Sequence, residues 1–182
     1  ASSGLHSNGF SLVRHILATA KIGYHDELPE LGGVVGRALL EPTALYTAPL
    51  LDVLAELPGA VHALSHVTGG GIAANLARVL PVGSWAELDR GSWSPPTVFR
   101  VLCELSGDSL ESTEGTWNLG VGMLAVVAHD SASSVIRALE SRGVPAWVAG
   151  RVSTTAHDLT GFEQGAKGVD GGAVKLVGTY AE

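Results

Sequence analysis

Strand-like and helix-like segments alternate along this chain, and that alternation constrains its fold more than any other feature. Leu12, Val13, Ile16, Leu17 and Ala20 give residues 11–21 a helical spacing behind a loop rich in Gly, Ser and Asn. Pro49 opens a second helix that runs through Leu57 and stops at Pro58-Gly59. Residues 60–68 read as a strand leading to Gly69-Gly70-Gly71, and Ile72, Leu76, Val79 and Leu80 mark the helix after it. Residues 85–89 form a short strand, and a helix follows Pro95-Pro96. Residues 120–129 are nearly continuously apolar, the pattern of a strand covered on both faces. A helix over 131–142, a strand over 146–152 and a last strand over 174–180 complete the series. Residues 24–36 read as a surface excursion, and 161–172, with five glycines, as a flexible loop. Such alternation predicts an α/β layered fold, and nothing along residues 1–182 marks a boundary or a repeat, so one domain is expected.

Composition narrows the function. Hydrophobic residues make up 46% of the chain and charged residues 16%, with a mean hydropathy of +0.27, so disorder is excluded. The apolar surplus fits a filled core together with a face that another domain covers. A net charge of −7 supplies no basic footprint for nucleic acid, and none is expected as a partner. The longest apolar stretch, 119–128, is too short to span a bilayer, and the first residues lack the pattern of a signal peptide. Cys103, the sole cysteine, allows no internal disulfide and fits a reducing, cytoplasmic setting. Set in an apolar helical pattern, it reads as a buried, inert thiol.

Three segments place polar residues and glycines where strands give way to helices, the edge at which α/β sheets hold ligands. The first is Ser2-Ser3-Gly4-Leu5-His6-Ser7-Asn8-Gly9. Its Ser7 and Asn8 either grip an anion beside a helix N-terminus or simply cap that helix. The second is His66-Val67-Thr68-Gly69-Gly70-Gly71. Three successive glycines cost chain entropy unless close approach or positive φ requires them. His66 is either a site residue or a histidine at the core's edge bonded to backbone. The third is Thr116-Trp117-Asn118-Leu119-Gly120-Val121-Gly122-Met123, where Asn118 either orients a ligand amide or pins a turn. His15, His25, His62, His129 and His157 show no metal-ligand spacing, so no metal site is assigned. Neither a G-x-S-x-G turn nor a paired-carboxylate arrangement is visible, which leaves hydrolase chemistry without a nucleophile.

In this order the segments resemble aminoimidazole ribonucleotide synthetase (phosphoribosylformylglycinamidine cyclo-ligase). The matching stretches are 2–14, 40–43, 66–71, 78–81, 89–93, 118–123 and 150–152. The resemblance implies that residues 1–182 are the C-terminal half of a two-domain enzyme, a three-layer α/β/α domain with a mixed central sheet. Its own N-terminal domain would hold most of the ATP and Mg contacts and form the homodimer, so this half alone should be inactive. The implied reaction closes the ring of formylglycinamidine ribonucleotide. ATP phosphorylates the formyl amide oxygen, and the amidine nitrogen then attacks that carbon. Aminoimidazole ribonucleotide, ADP and phosphate result. Such chemistry rests on positioning and charge stabilisation rather than on a protein nucleophile.

On this resemblance Gly4, His6, Ser7, Asn8 and Gly9 form a loop that holds phosphate or amide groups. His66 and Asn8 are the catalytic candidates, His66 polarising the amide or assisting proton transfer. Thr68, Gly69, Gly70 and Gly71 shape the adjacent wall, and Asn118 is a further binding candidate. Two departures stand out. After Pro42-Thr43 the family usually shows Arg-Ile-Tyr-Val-Lys, where this chain has Ala44-Leu45-Tyr46-Thr47-Ala48. After the glycine triplet the family usually has Glu-Asn, where this chain has Ala74-Asn75. Substrate contacts through those charges are not expected here. Alternative readings are a relative of the same architecture (formylglycinamidine ribonucleotide amidotransferase or selenophosphate synthetase) and a non-catalytic module that binds phosphorylated ligands.

Overall fold

The computed structural model describes residues 1–166 and 168–181. Behind the first loop, α1 (Phe10–Ala20) turns Val13, Ile16 and Leu17 inward and ends at Lys21, whose left-handed backbone donates to Ala18 and Leu17 carbonyls. A small hairpin of β1 (Glu27–Leu28) and β2 (Gly33–Val34) leads to α2 (Val35–Leu39) and then α3 (Thr47–Glu56). Pro49 lies in the first turn of α3, where a missing N–H costs nothing. Next come β3 (Val61–His66), α4 (Gly71–Ala77), β4 (Trp85–Asp89) and α5 (Thr97–Ser106). The chain closes with β5 (Met123–Val127), α6 (Ala132–Glu140), β6 (Gly150–Ser153), β7 (Glu163–Ala166) and β8 (Val169–Val177).

The strands form a mixed α/β architecture in two main pieces. β3 pairs antiparallel with β5. A four-stranded sheet runs in the order β6-β4-β8-β7, parallel between β4 and β8 and antiparallel elsewhere. Three packed clusters surround them. α1 and α5 meet over Phe99 and Trp117, both 0% exposed with ring centres 5.9 Å apart. Truncating either ring would cost about 3–5 kcal/mol. α4, β4 and β8 bury Ile72, Leu88 and Val174. α3 and α6 pack Val53, Val135 and Leu139 against β3 and β5. Cys103 is buried in the first cluster, and burial raises its thiol pKa, so it is held as an inert thiol.

Three expectations are corrected. The glycine-rich stretch 161–172, expected as a loop, contains β7 and the start of β8. Its glycines serve close packing. A Cβ at Gly171 would lie 2.2 Å from the Ala77 carbonyl oxygen, and one at Gly172 would lie 2.7 Å from Leu80 Cβ. β8 can therefore press against the end of α4 only because these side chains are missing. The strand expected over 120–129 shortens to β5, because Leu119 and Gly120 take left-handed φ values of 45° and 100°. Every residue of β5 is half-buried, so it is not sealed on both faces. Similarly, regular pairing in the segment 146–152 begins only at Gly150.

Candidate functional site

The Asn8 and Gly69 turns follow extended chain, precede α1 and α4, and stand side by side. The Gly69 N–H donates to Asn8 Oδ1 at 3.1 Å. Asn8 is therefore not the helix cap that its position suggests. α1 begins at Gly9 (φ 72°) with no side-chain cap, and the Asn8 carbonyl end reaches across to the other turn instead. Gly9 is glycine for a steric reason too, since a Cβ there would sit 2.4 Å from Trp117 Cδ1. At the exposed edge of this junction lie Ser7, His66 and Gly69, with Asn8, Gly9, Thr68 and Gly70 half-buried.

Buried amides stiffen each turn from below. Asn75, 0% exposed, donates from Nδ2 to the Thr68 and Gly71 carbonyls and accepts at Oδ1 from Thr68 Oγ1 and Arg78. Asn118, 1% exposed, donates to the Gly4 carbonyl at 2.8 Å and accepts from Ser2 Oγ and the Gly120 N–H. Of the two roles open to Asn118, the geometry supports the pin: its carbonyl is doubly occupied and no face reaches solvent. A third brace lies behind Gly71. Arg90 forms a bidentate pair with Glu114 at 2.6 and 3.0 Å, and the Tyr180 hydroxyl donates to the same carboxylate at 2.6 Å. That network holds the Glu114–Gly115 backbone so close that a Cβ at Gly71 would meet the Glu114 oxygen at 1.6 Å.

The three glycines of the triplet thus have different causes. Gly70 and Gly71 adopt φ of 104° and 74°, and Gly71 also has no room for a side chain. Gly69 has an ordinary φ, and a Cβ there would meet nothing within 4 Å. No contact among the described residues requires glycine at 69.

The histidines divide. His6 is 5% exposed with a left-handed φ of 55°, and its Nε2 accepts from the Ser3 and Ala44 N–H groups at 3.2 and 3.4 Å. Accepting at Nε2 puts the proton of the neutral ring on Nδ1, which is buried without a partner among the described residues. Burial first, then the nearby His66 and amino terminus, lower the His6 pKa, so the ring is held neutral. Tyr46 stands between the two histidines, with ring centres 6.1 Å from His6 and 6.2 Å from His66. Its hydroxyl donates to the Ala1 carbonyl at 2.6 Å, and burial pushes its pKa up to about 12. His66, at the end of β3, is exposed.

The residues expected at the site therefore separate into two layers. Ser7, Asn8, Gly9, His66, Thr68, Gly69 and Gly70 are reachable from solvent, whereas Gly4, His6, Gly71 and Asn118 lie beneath and support them. Tyr46, Asn75 and the Arg90–Glu114–Tyr180 network went unread in the sequence: the partners of Tyr46 and of the network lie far away along the chain, and Asn75 bonds to near neighbours that face it only once the turn is folded. Among the described residues no group of three or more His, Cys, Asp or Glu side chains could hold a metal ion.

These features define an α/β domain that presents glycine turns and polar side chains at strand-to-helix junctions, a class built to hold small polar ligands. Residues 1–160 match the family described as AIR synthase related protein, C-terminal domain, and the chain belongs to that family. It is 45% identical, over all of its length and 94% of the other's, to a Streptomyces fradiae protein provisionally named phosphoribosylformylglycinamidine cyclo-ligase. Proteins carrying that name without qualification in Sorangium cellulosum and Shouchella clausii are 48% and 40% identical over 84% and 88% of this chain. The matches cover only 44% and 46% of those two proteins, so the chain spans less than half their length. No helix among the described residues is long and apolar enough to cross a membrane.

Proposed function

We propose that this chain is the substrate-holding half of an ATP-dependent cyclo-ligase that converts formylglycinamidine ribonucleotide to aminoimidazole ribonucleotide in purine biosynthesis. The observation that carries the reading is the 3.1 Å bond between the Asn8 and Gly69 turns, which joins two glycine-lined edges into one surface beside His66. With Oδ1 engaged, the Asn8 Nδ2 hydrogens remain to donate to a ligand oxygen. Gly69, bare of a side chain, lets a ligand approach the backbone closely. His66, exposed and three residues away, can donate to the formyl amide oxygen or take a proton from the attacking amidine nitrogen at a ring nitrogen. The buried pins Asn75 and Asn118 keep these groups from shifting as charge develops, which is where such a site gains rate.

In this reading ATP and magnesium bind mainly through the N-terminal half. The full-length enzyme is a homodimer of the cytoplasm, and the lone buried thiol suits a reducing compartment. The test is kinetic, in the full-length enzyme. Asn8→Ala and His66→Ala should each lower kcat/KM for ribonucleotide cyclisation by about 100-fold, the usual range for one positioned donor or proton carrier, with unchanged melting behaviour. Wild-type kinetics in both variants would remove this surface from the reaction. Residues 1–182 alone should produce no aminoimidazole ribonucleotide from ATP and substrate.

A further inference from the structure

Tyr46 stands immediately before α3, with helical φ and ψ of −91° and −21° but no side-chain capping bond. Its ring turns inward instead, to 7% exposure, so the phenol oxygen must find a partner inside the protein. It donates to the Ala1 carbonyl at 2.6 Å. Room for it is made just ahead of β5, where a Cβ at Gly122 would lie 1.9 Å from the Tyr46 oxygen and 2.7 Å from His6 Cε1. Gly122 takes no left-handed φ, so the two rings, and not the backbone, require glycine there.

That seat joins two parts of the site. Ser3 Oγ donates to the Pro42 carbonyl at 2.6 Å, and the Ala44 N–H donates to His6 Nε2 at 3.4 Å. Together with the phenol these bonds stitch residues 42–46 to the first loop. On its other side the Tyr46 ring meets His66, their centres 6.2 Å apart and their planes 64° apart, an edge contact. His66 is exposed at the end of β3. Among the described residues its imidazole makes no hydrogen bond and has no other ring contact. Left alone, such a side chain spreads over its staggered rotamers. Proton transfer needs one of them, within hydrogen-bond reach of the reacting atoms.

We infer that Tyr46 is a positioning residue of the cyclisation: its ring holds His66 in one rotamer, and its hydroxyl ties that rotamer to the loop that carries Asn8. His66 and Asn8 then keep their relative placement through one buried phenol. Tyr46 itself touches no ligand, since its oxygen is buried and bonded to Ala1. An edge-to-face pair shifts a population by a factor of about three to ten, enough to matter where a proton transfer must find its imidazole in place. The bond between the Asn8 and Gly69 turns does not do this, because it fixes backbone at 69 and leaves the His66 side chain free to turn. The inference rests on the cyclo-ligase reading and deepens it.

The test is steady-state kinetics of the full-length enzyme carrying Tyr46→Phe, Tyr46→Leu, His66→Ala, or Tyr46→Leu together with His66→Ala. Tyr46→Leu removes the ring and should lower kcat by about threefold to tenfold, with KM within about twofold of wild type. Tyr46→Phe keeps the ring and loses only the tie to Ala1, so it should be faster than Tyr46→Leu. In the His66→Ala background Tyr46→Leu should slow the reaction no further, because residues that act through one another are not additive. A further slowing of the same size in that background would mark a merely structural tyrosine and overturn the inference. Wild-type kcat in Tyr46→Leu beside a slow His66→Ala overturns it too, as does Tyr46→Phe as slow as Tyr46→Leu. Wild-type kinetics in His66→Ala would instead remove His66 from the reaction, and the inference with it. Where Tyr46→Leu fails to fold, magnetic resonance of the wild-type enzyme with isotope-labelled histidine decides. Through-space contacts between the His66 and Tyr46 ring protons are expected, and a His66 ring that averages over rotamers without them refutes the inference.

Discussion

Substituting alanine at Gly69 and at Gly71 separates what the domain needs from what its ligand needs. At Gly71 a Cβ would lie 1.6 Å from the Glu114 oxygen, on a residue with φ of 74°. The left-handed backbone alone costs a non-glycine residue about 1–2 kcal/mol. Relieving the clash means pushing back the Glu114–Gly115 backbone, which Arg90 and Tyr180 hold through the Glu114 carboxylate at 2.6 Å each. Overpacking against a braced neighbour adds about 1–3 kcal/mol, so Gly71→Ala should destabilise by about 2–5 kcal/mol. Gly69→Ala meets nothing within 4 Å at an ordinary φ, and its stability should stay within about 0.5 kcal/mol of wild type. Urea denaturation of both variants measures the contrast. In the full-length enzyme, Gly69→Ala should nonetheless lower kcat/KM by at least about tenfold, one RT ln 10 step of 1.4 kcal/mol. A Gly71→Ala variant as stable as wild type would refute the packing argument. A Gly69→Ala variant with normal kinetics would show that no ligand approaches that backbone.

Two further outcomes are expected. Asn118→Ala leaves the buried Gly120 N–H without its acceptor and the Gly4 carbonyl with only the Ser2 hydroxyl, and should cost about 1–3 kcal/mol in urea denaturation. A loss under about 0.5 kcal/mol would show that water replaces the amide. His6 has a folded pKa below its ordinary 6.5, so the unfolded chain takes up the proton first as pH falls. Its contribution is present above that value and is lost as pH drops through it toward the folded pKa. His6→Asn, which tolerates the left-handed backbone, should flatten the stability slope between about pH 7 and about pH 5, and an unchanged slope would refute the buried neutral ring.

The opening loop shows how far local reasoning reaches into this site. Glycines and short polar residues ahead of a helical run mark a strand-to-helix junction, and the structure has one there. Whether Asn8 caps its own helix or reaches elsewhere is undecided at that level, because both use the same side-chain oxygen. Only the arrival of Gly69, sixty-one residues on, decides it. Asn118 is similar: the same amide could orient a ligand or hold a turn, and burial against Gly4 and Ser2 settles it as a pin. Asn75, beside a triplet read mainly for its glycines, is legible only once Thr68 and Gly71 curl around it.

What the sequence determined by itself was the order of helices and strands and the three junctions between them, because hydrophobic period and glycine placement are properties of neighbouring residues. Tertiary structure decided which junctions meet and which polar groups are buried. It also decided that residues 163–166 and 169–172 supply strand rather than loop. A glycine chosen for freedom and one chosen for close approach look identical in a sequence. At Gly171 and Gly172 the difference lies in what stands opposite, the end of α4 and the turn after it, brought there only by the folded chain.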